Sequence, residues 1–243
     1  MARIFITGSA DGLGYLSAKL LVEKGHKVVL HGRNAARGRD ALKKVSGAEN
    51  VLTGDLSSIE ETTRLADQVN EFGSFDAVIH NAGVYRTSAK DIFRVNTLAP
   101  YILTCLIQKP ERLIYLSSNM HLHGHSKLES FTEDTSRINY SDSKLHNLML
   151  SKAVARIWPD VYSNAVDPGW VPTKMGGRGA PDNLQKGYET QVWLAVSDDE
   201  KTKVTGQYFY HQENAHYNPE ADDVILQDKF MAVCRDITGI SFL

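Results

Sequence analysis

A chain of 243 residues with 27 basic and 29 acidic side chains and no basic block is long enough to bury a core unaided, and it lacks the electrostatic footprint of a nucleic-acid or anionic-membrane binder. Its two cysteines, Cys105 and Cys234, stand far apart with no metal-ligand or redox-motif spacing, which argues against a zinc site or disulfide framework and for a reducing, cytoplasmic setting. The longest apolar run, near residues 101–107, falls far short of the roughly 20 residues that span a bilayer, and the first strand-like run leaves no room for a signal peptide, so small molecules are the expected partners.

Short apolar runs of strand type at residues 3–7, 27–31, 50–54, 75–80, 112–117, 162–166 and 207–210 alternate with longer stretches of helical period. This alternation predicts one α/β domain over residues 1–243, doubly wound, with a mostly parallel seven-stranded sheet covered by helices on both faces. Leu13, Leu16, Leu20 and Leu21 predict an apolar helix face that Gly25 ends. Residues 140–158 carry the same period, with Leu145, Leu148, Met149 and Val154 on one side. Two stretches break the pattern. Residues 119–139 are polar and rich in His and Ser, and structureless loops beyond about 12–15 residues are usually functional or disordered. Residues 171–182, with Pro172, Gly176, Gly177, Gly179 and Pro181, read as a mobile lid. No repeat or linker divides the chain.

The first strand runs into Thr7-Gly8-Ser9-Ala10-Asp11-Gly12-Leu13-Gly14, which opens the first helix. Glycines there let the backbone turn tightly and approach a pyrophosphate, whose charge is stabilised by free N–H groups and the positive helix end. At the end of the second strand Gly32 stands where an NAD enzyme would want a carboxylate for the ribose 2′-hydroxyl. Arg33 beside it can pair with a 2′-phosphate, so NADP(H) is expected over NAD(H), although a solvated loop arginine is the plainer reading and Asp11 in the glycine loop is not basic. Tyr140 and Lys144 are spaced to stack on one helix face. A phenol with a pKa of about 10 is a poor base at neutral pH, but a neighbouring ammonium favours its ionised form. His121, His123 and His125 alternate, yet a catalytic metal also needs an open position and supporting hydrogen bonds, so none is expected. Trp170 is read as a pocket wall or a buried aromatic, and Trp193 as core.

The glycine spacing resembles the TGxxxGxG pattern of the short-chain dehydrogenase/reductase family, and further motifs follow in the family's order. His80-Asn81-Ala82-Gly83 is similar to NNAG, Asn96 to the family's helix asparagine, Ser117-Ser118 to its serine pair, residues 140–144 to YxxxK, and Asp167-Pro168-Gly169 to its PG turn. Asp236-Ile237-Thr238-Gly239 resembles the ending of retinol-dehydrogenase-like members. The resemblance implies a nicotinamide-dependent oxidoreductase in which Tyr140 exchanges a proton with the substrate oxygen, Ser118 holds that oxygen, Lys144 touches both Tyr140 and the nicotinamide ribose, and Asn96 keeps a water behind Lys144. It further implies cofactor contacts at Gly8, Asp11, Gly12, Leu13, Gly14, Arg33, Asp55, Leu56, Asn81, Ala82, Gly83, Tyr140, Lys144, Pro168, Gly169, Val171 and Thr173, with Asp55 near the adenine.

The chain departs from the family in a longer stretch between Ser118 and Tyr140, shared by retinol-dehydrogenase-like members and placed at the substrate mouth. The stretches around Asn96 are shorter, trimming a loop and the fifth helix, which leaves open a homodimer or a monomer. Tyr85, Met120, Leu122, Trp170, Val171 and Met175, with no Lys/Arg clamp in view, point to a lipophilic aldehyde or ketone, retinoid-like or aromatic-polyketide-like. The competing reading is a catalytically silent, dinucleotide-sensing regulator, which would have little reason to keep Tyr, Lys, Ser and Asn together.

Overall fold

Along β1 (Arg3–Ile6), Ile4 and Ile6 enter one hydrophobic cluster and Phe5 another, and all three are fully buried. A strand buried on both faces needs a helical layer on each side. The structure, a computed structural model, describes residues 1–132 and 134–242. Around β1 lie β2 (Lys27–Gly32), β3 (Asn50–Thr53), β4 (Ala77–His80), β5 (Arg112–Leu116), β6 (Tyr162–Asp167), β7 (Tyr208–Tyr210) and β8 (Glu213–Asn214), in the order β3-β2-β1-β4-β5-β6-β7-β8. All neighbours are parallel except the antiparallel β7–β8 pair. Helices α1 (Gly12–Glu23) and α2 (Ala35–Lys44) supply the Ile4 face together with α7 (Leu184–Val196). On the Phe5 face lie α3 (Ile59–Phe72), the short α4 (Ala89–Ile92) continued by a π-turn at Phe93–Leu98, α5 (Ala99–Leu106), α6 (Tyr140–Ile157) and α8 (Val224–Thr238). Strand order reverses between β1 and β4, so a crevice opens at the C-terminal ends of the strands, where ligands bind in sheets of this kind.

Seven predicted strands are present, and the structure adds an eighth among the described residues. β8 follows a turn in which His211 and Gln212 both have positive φ, 51° and 68°. Tight hairpins of that form are usually signalled by Asn-Gly, and here nothing in the sequence marks it. The α1 face is also rotated from its expected position: Gly14, Ser17, Ala18 and Leu21 are buried, while Leu13, Leu16 and Leu20 are only partly so. Small residues take the inner position because α1 packs closely on α7, where Ser17 Oγ donates to Tyr188 O at 3.4 Å.

The long segment at 119–139 is folded into three short 3₁₀ turns, Asn119–His123, Leu128–Phe131 and Thr135–Arg137, with Glu133 outside the described residues. Leu128, Phe131 and Ile138 are buried in the Phe5-face core. Phe131 meets Phe93 edge-on at 4.6 Å and also touches His146 of α6 and Phe230 of α8. Pieces with three residues per turn leave no helical period in the sequence. The segment is therefore part of the core as well as a rim of the crevice. Among the described residues no helix is long and apolar enough to cross a membrane.

Truncating a buried aromatic leaves a cavity, so Phe131→Ala is expected to lower stability by about 3–5 kcal/mol. Urea unfolding checks this, and an unchanged midpoint would place Phe131 outside the core.

Candidate active site

The glycine loop is held from three sides. Gly8 has φ +65°, and a side chain there would put its Cβ 2.9 Å from Ala82 Cα. Asn81 Nδ2 donates to Thr7 O (2.9 Å) and Gly8 O (3.3 Å), and Ala82 N donates to Thr7 Oγ1 (3.0 Å), fastening the end of β4 beneath the loop. A Cβ on Gly14 would lie 2.4 Å from Asn81 Nδ2, so that glycine is required by the same close approach. The third side is His31, buried at the end of β2. Its Nδ1 accepts from Gly8 N and its Nε2 donates to Gly54 O, both at 2.9 Å, while its own backbone N donates to Ser9 Oγ at 2.8 Å. Burial lowers the His31 pKa, which keeps the ring neutral and Nδ1 free to accept. Nothing in the sequence singled out His31, since a lone histidine in a strand carries no motif.

The remaining expected cofactor positions gather around this loop with different parts exposed. Asp11 caps α1, accepting from Gly12 N at 2.9 Å, and its other oxygen is 3.6 Å from Arg37 of α2. Thr173 lies beside Gly12, where a Cβ would be 3.9 Å from its own. Arg33 is exposed at the end of β2. Asp55 Oδ1 accepts from Ser57 N and Oγ, whereas the Leu56 and Val171 side chains are buried, which leaves their backbones for any ligand contact. Gly169 has φ +81° with Asp182 Oδ2 2.8 Å from where its Cβ would be, and Asp182 also accepts from Trp170 N, latching residues 171–182 at their base. Trp170 is 59% exposed, its Nε1 donating to Gly176 O at 2.8 Å, and Trp193 is half-buried against Phe209. Glycine cradle, helix N-terminus and backbone turns together fit a dinucleotide.

The catalytic candidates meet on the α6 side of the crevice. A capping box starts α6: Asn139 Oδ1 accepts from Asp142 N (3.1 Å) and Asp142 Oδ2 accepts from Asn139 N (2.9 Å). Asp142 is fully buried and also accepts from His125 N (3.0 Å) and Lys127 Nζ (2.8 Å), so the inserted segment is tied to the turn that carries Tyr140. One turn on, Lys144 Nζ donates to Leu116 O at 2.7 Å, and Asn147 Nδ2 donates to the same carbonyl at 3.1 Å. Ser117 Oγ donates back to Lys144 O at 2.7 Å. That commitment leaves Ser118, partly exposed with its Oγ accepting from Met120 N at 3.3 Å, as the serine facing the mouth.

Asn96 sits in the π-turn with its side chain bonded at both ends: Oδ1 accepts from Val84 N (2.8 Å), and Nδ2 donates to Val84 O and Ser143 Oγ (both 3.0 Å). A Cβ on Gly83 would be 3.5 Å from both Asn96 Oδ1 and Lys144 Nζ, which places these groups around one point. The ring of Tyr140 packs on Tyr85 (4.8 Å between centres), and Lys144 Nζ is 5.3 Å from its centre. Burial, with Asp167 and Tyr85 adding to it, raises the Tyr140 pKa above the ordinary phenol value, so the expected stabilisation of the phenolate by Lys144 is not the dominant influence here. The favoured form is the protonated one, a donor. Burial brings the Lys144 ammonium down to about 8, opposed by Asp167.

The alternating histidines do not converge. His121 is buried with Nδ1 donating to Ser118 O (2.6 Å) and Nε2 accepting from Asn218 N (3.1 Å), His125 faces Glu220, and His123 is exposed. Among the described residues no three His, Cys, Asp or Glu side chains group as a metal site.

Residues 2–112 match the model of the short chain dehydrogenase family. A short-chain dehydrogenase of Penicillium rubens is 40% identical, with 99% of this chain and 98% of that protein covered. The chain belongs to the short-chain dehydrogenase/reductase family. An uncharacterised oxidoreductase of Emericella nidulans is 44% identical over 99% of this chain and 98% of its own length, and retinol dehydrogenase 14 of Mus musculus is 26% identical over 98% and 86%. The crystal structure of an uncharacterised protein from Mycobacterium paratuberculosis has the same fold, with a TM-score of 0.85 at 22% identity over 100% of this chain and 95% of that one. As a family member the protein is an oxidoreductase acting on CH–OH or carbonyl groups with a nicotinamide dinucleotide.

Because Gly8 combines a positive φ with backbone contact, Gly8→Ala is expected to weaken dinucleotide binding about tenfold or more while leaving the circular dichroism spectrum unchanged. Calorimetric titration reads the effect, and wild-type affinity would show that the loop tolerates a side chain.

Proposed function

We propose that this short-chain dehydrogenase/reductase is an NADPH-dependent carbonyl reductase for lipophilic aldehydes or ketones, with Tyr140 as its general acid/base. The observation that carries the reading is the pairing of a protonated Tyr140 with Lys144 anchored on Leu116 O, next to a Ser117-Ser118 pair in which Ser117 donates its hydroxyl proton to Lys144 O and Ser118 Oγ only accepts, from Met120 N, among the described residues. The dinucleotide supplies or accepts the hydride. Ser118 Oγ donates a hydrogen bond to the substrate carbonyl oxygen and orients it. Tyr140 transfers its hydroxyl proton to that oxygen as charge develops there, and Lys144 stabilises the phenolate left behind. Asn96 acts through its amide contacts, keeping the Val84 turn and Ser143 in place around Lys144.

Preference for NADPH is supported at the β2–α2 junction. A Cβ at Gly32 would lie 2.6 Å from Gly38 N, so the position where a 2′-hydroxyl-binding carboxylate would stand is closed by backbone. Arg33 is exposed there, and Arg37, which the sequence reading passed over, adds a second guanidinium held by Asp11. For the substrate, Tyr85, Leu122, Trp170 and Met175 are all substantially exposed at the mouth. Covering such surface stabilises a complex by about 25 cal/mol per Å² before the costs of association.

Tyr140→Phe is expected to bind NADPH normally and to lose turnover by at least about 100-fold, the scale of positioned proton transfer. A variant that keeps its turnover would remove Tyr140 from the mechanism. Wild-type protein is expected to favour NADPH over NADH by about tenfold or more, from a charge-assisted contact of about 1.5–3 kcal/mol, and Arg33→Ala to lose most of that preference. Equal affinities of the wild-type protein for the two dinucleotides would overturn the assignment.

A further inference from the structure

The mechanism leaves one buried carboxylate unused. Asp167 closes β6, is 3% exposed, and belongs to no ion pair with an arginine or lysine among the described residues. Its two oxygens are divided between two turns. Oδ2 accepts from Asn119 N at 3.0 Å, the residue directly after Ser118 beyond β5, and Oδ1 accepts from Gly169 N at 2.8 Å, in the Pro168–Gly169 turn that follows the neighbouring strand β6.

We propose that Asp167 is a positioning residue that holds the Ser118 turn in register with the Pro168–Gly169 turn and supplies the fixed negative charge that the Tyr140–Lys144 pair faces. The inference rests on the acid/base reading of Tyr140. A neutral acceptor would hold one N–H of either turn, but a carboxylate holds both and adds charge. Among the described residues Asp167 is faced by Tyr140 and Lys144 on α6, Tyr208 and Tyr210 on β7, His211 in the strained β7–β8 turn, and Asp182 at the base of the 171–182 stretch. Tyr140 is faced in addition by Tyr85. Asp167 acts on both members of the pair in the same sense, making each proton harder to remove. Coupled groups titrate together, so the carboxylate extends to higher pH the range in which Lys144 is an ammonium and Tyr140 a proton donor. The two backbone bonds and His211 act the other way on Asp167 itself, offsetting the burial and the nearby Asp182 that favour its neutral form.

The test compares wild type with Asp167→Asn, which keeps one acceptor and removes the charge. In cofactor-free protein labelled with ¹³C-lysine, the Lys144 signal, assigned by its loss in Lys144→Arg, is expected to titrate near pH 8 in wild type and about one pH unit lower in the variant, the low end of what a nearby opposite charge contributes. The alkaline limb of the rate profile for carbonyl reduction is expected to move the same way. Amide exchange at Asn119 and Gly169 is expected to accelerate in Asp167→Ala, which removes both acceptors. Asp167→Ser, with a short uncharged acceptor, gives the same titration reading if the Asn variant folds poorly. An unshifted Lys144 titration in the uncharged variants overturns the electrostatic role, and unchanged amide exchange in Asp167→Ala overturns the tie between the turns. Activity surviving in Tyr140→Phe would instead overturn the acid/base reading, leaving the Lys144 titration to be judged separately.

Discussion

The carbonyl of Leu116, the last residue of β5, takes hydrogen bonds from both Lys144 Nζ and Asn147 Nδ2, while Ser117 next to it donates to the Lys144 carbonyl. A strand end normally leaves its last carbonyl to solvent or to a following turn. Here it seats a helix. These three contacts set the rotation of α6 about its own axis and its height above the sheet, and from that one placement follow the position of Tyr140, the separation of Ser117 from Ser118, and the face of α6 that α8 and the inserted segment must cover. Lys144 can be buried because the ammonium has a full carbonyl dipole to donate to.

The second dependency lies across the crevice, where a neutral histidine organises a loop of glycines. Gly8 N, a donor that a phosphate-binding turn would leave free, is instead given to His31 Nδ1. The loop is thereby shaped from below, with the end of β4 contributing Asn81 and the end of β3 contributing Gly54 O. Three parallel strands meet one turn, and the rigidity of that turn is a property of the sheet rather than of the loop's own residues.

Most of the architecture was legible because a parallel sheet buried on both faces writes near-continuous apolar runs, and because YxxxK, the glycine turn and the serine pair keep a fixed order along the chain. What escaped had physical reasons. β8 depends on positive φ at His211 and Gln212, residues whose types do not advertise it. The inner face of α1 is made of Gly14, Ser17 and Ala18, and close packing selects small side chains that a search for leucines passes over. The inserted segment hid its three core anchors, Leu128, Phe131 and Ile138, in a polar background without helical period. Within the site, the roles of His31, Arg37, Asp142 and Asp167 escaped for a common reason: each holds a backbone group or charge on an element distant in sequence, Gly8, Asp11, His125 and Asn119 in turn, and such pairs leave no spacing to recognise.

The contact between Gly32 and Gly38 has a consequence for how such a protein could change over generations. The end of β2 touches the backbone of α2 with no room for a side chain at Gly32, and a Cβ on Gly38 would in turn press on Thr53 Cγ2 of β3 at 3.0 Å. A single base change that writes an aspartate at position 32 therefore delivers a displaced helix along with its carboxylate. Arg37 rides on that helix, so the same step would move a cation that stands beside the glycine loop. Placing a side chain at the end of β2 is, in this chain, a question of inter-element distance. It would have to pass through variants that first relax the β2–α2 contact, and lineages that keep both glycines are held there by packing alone.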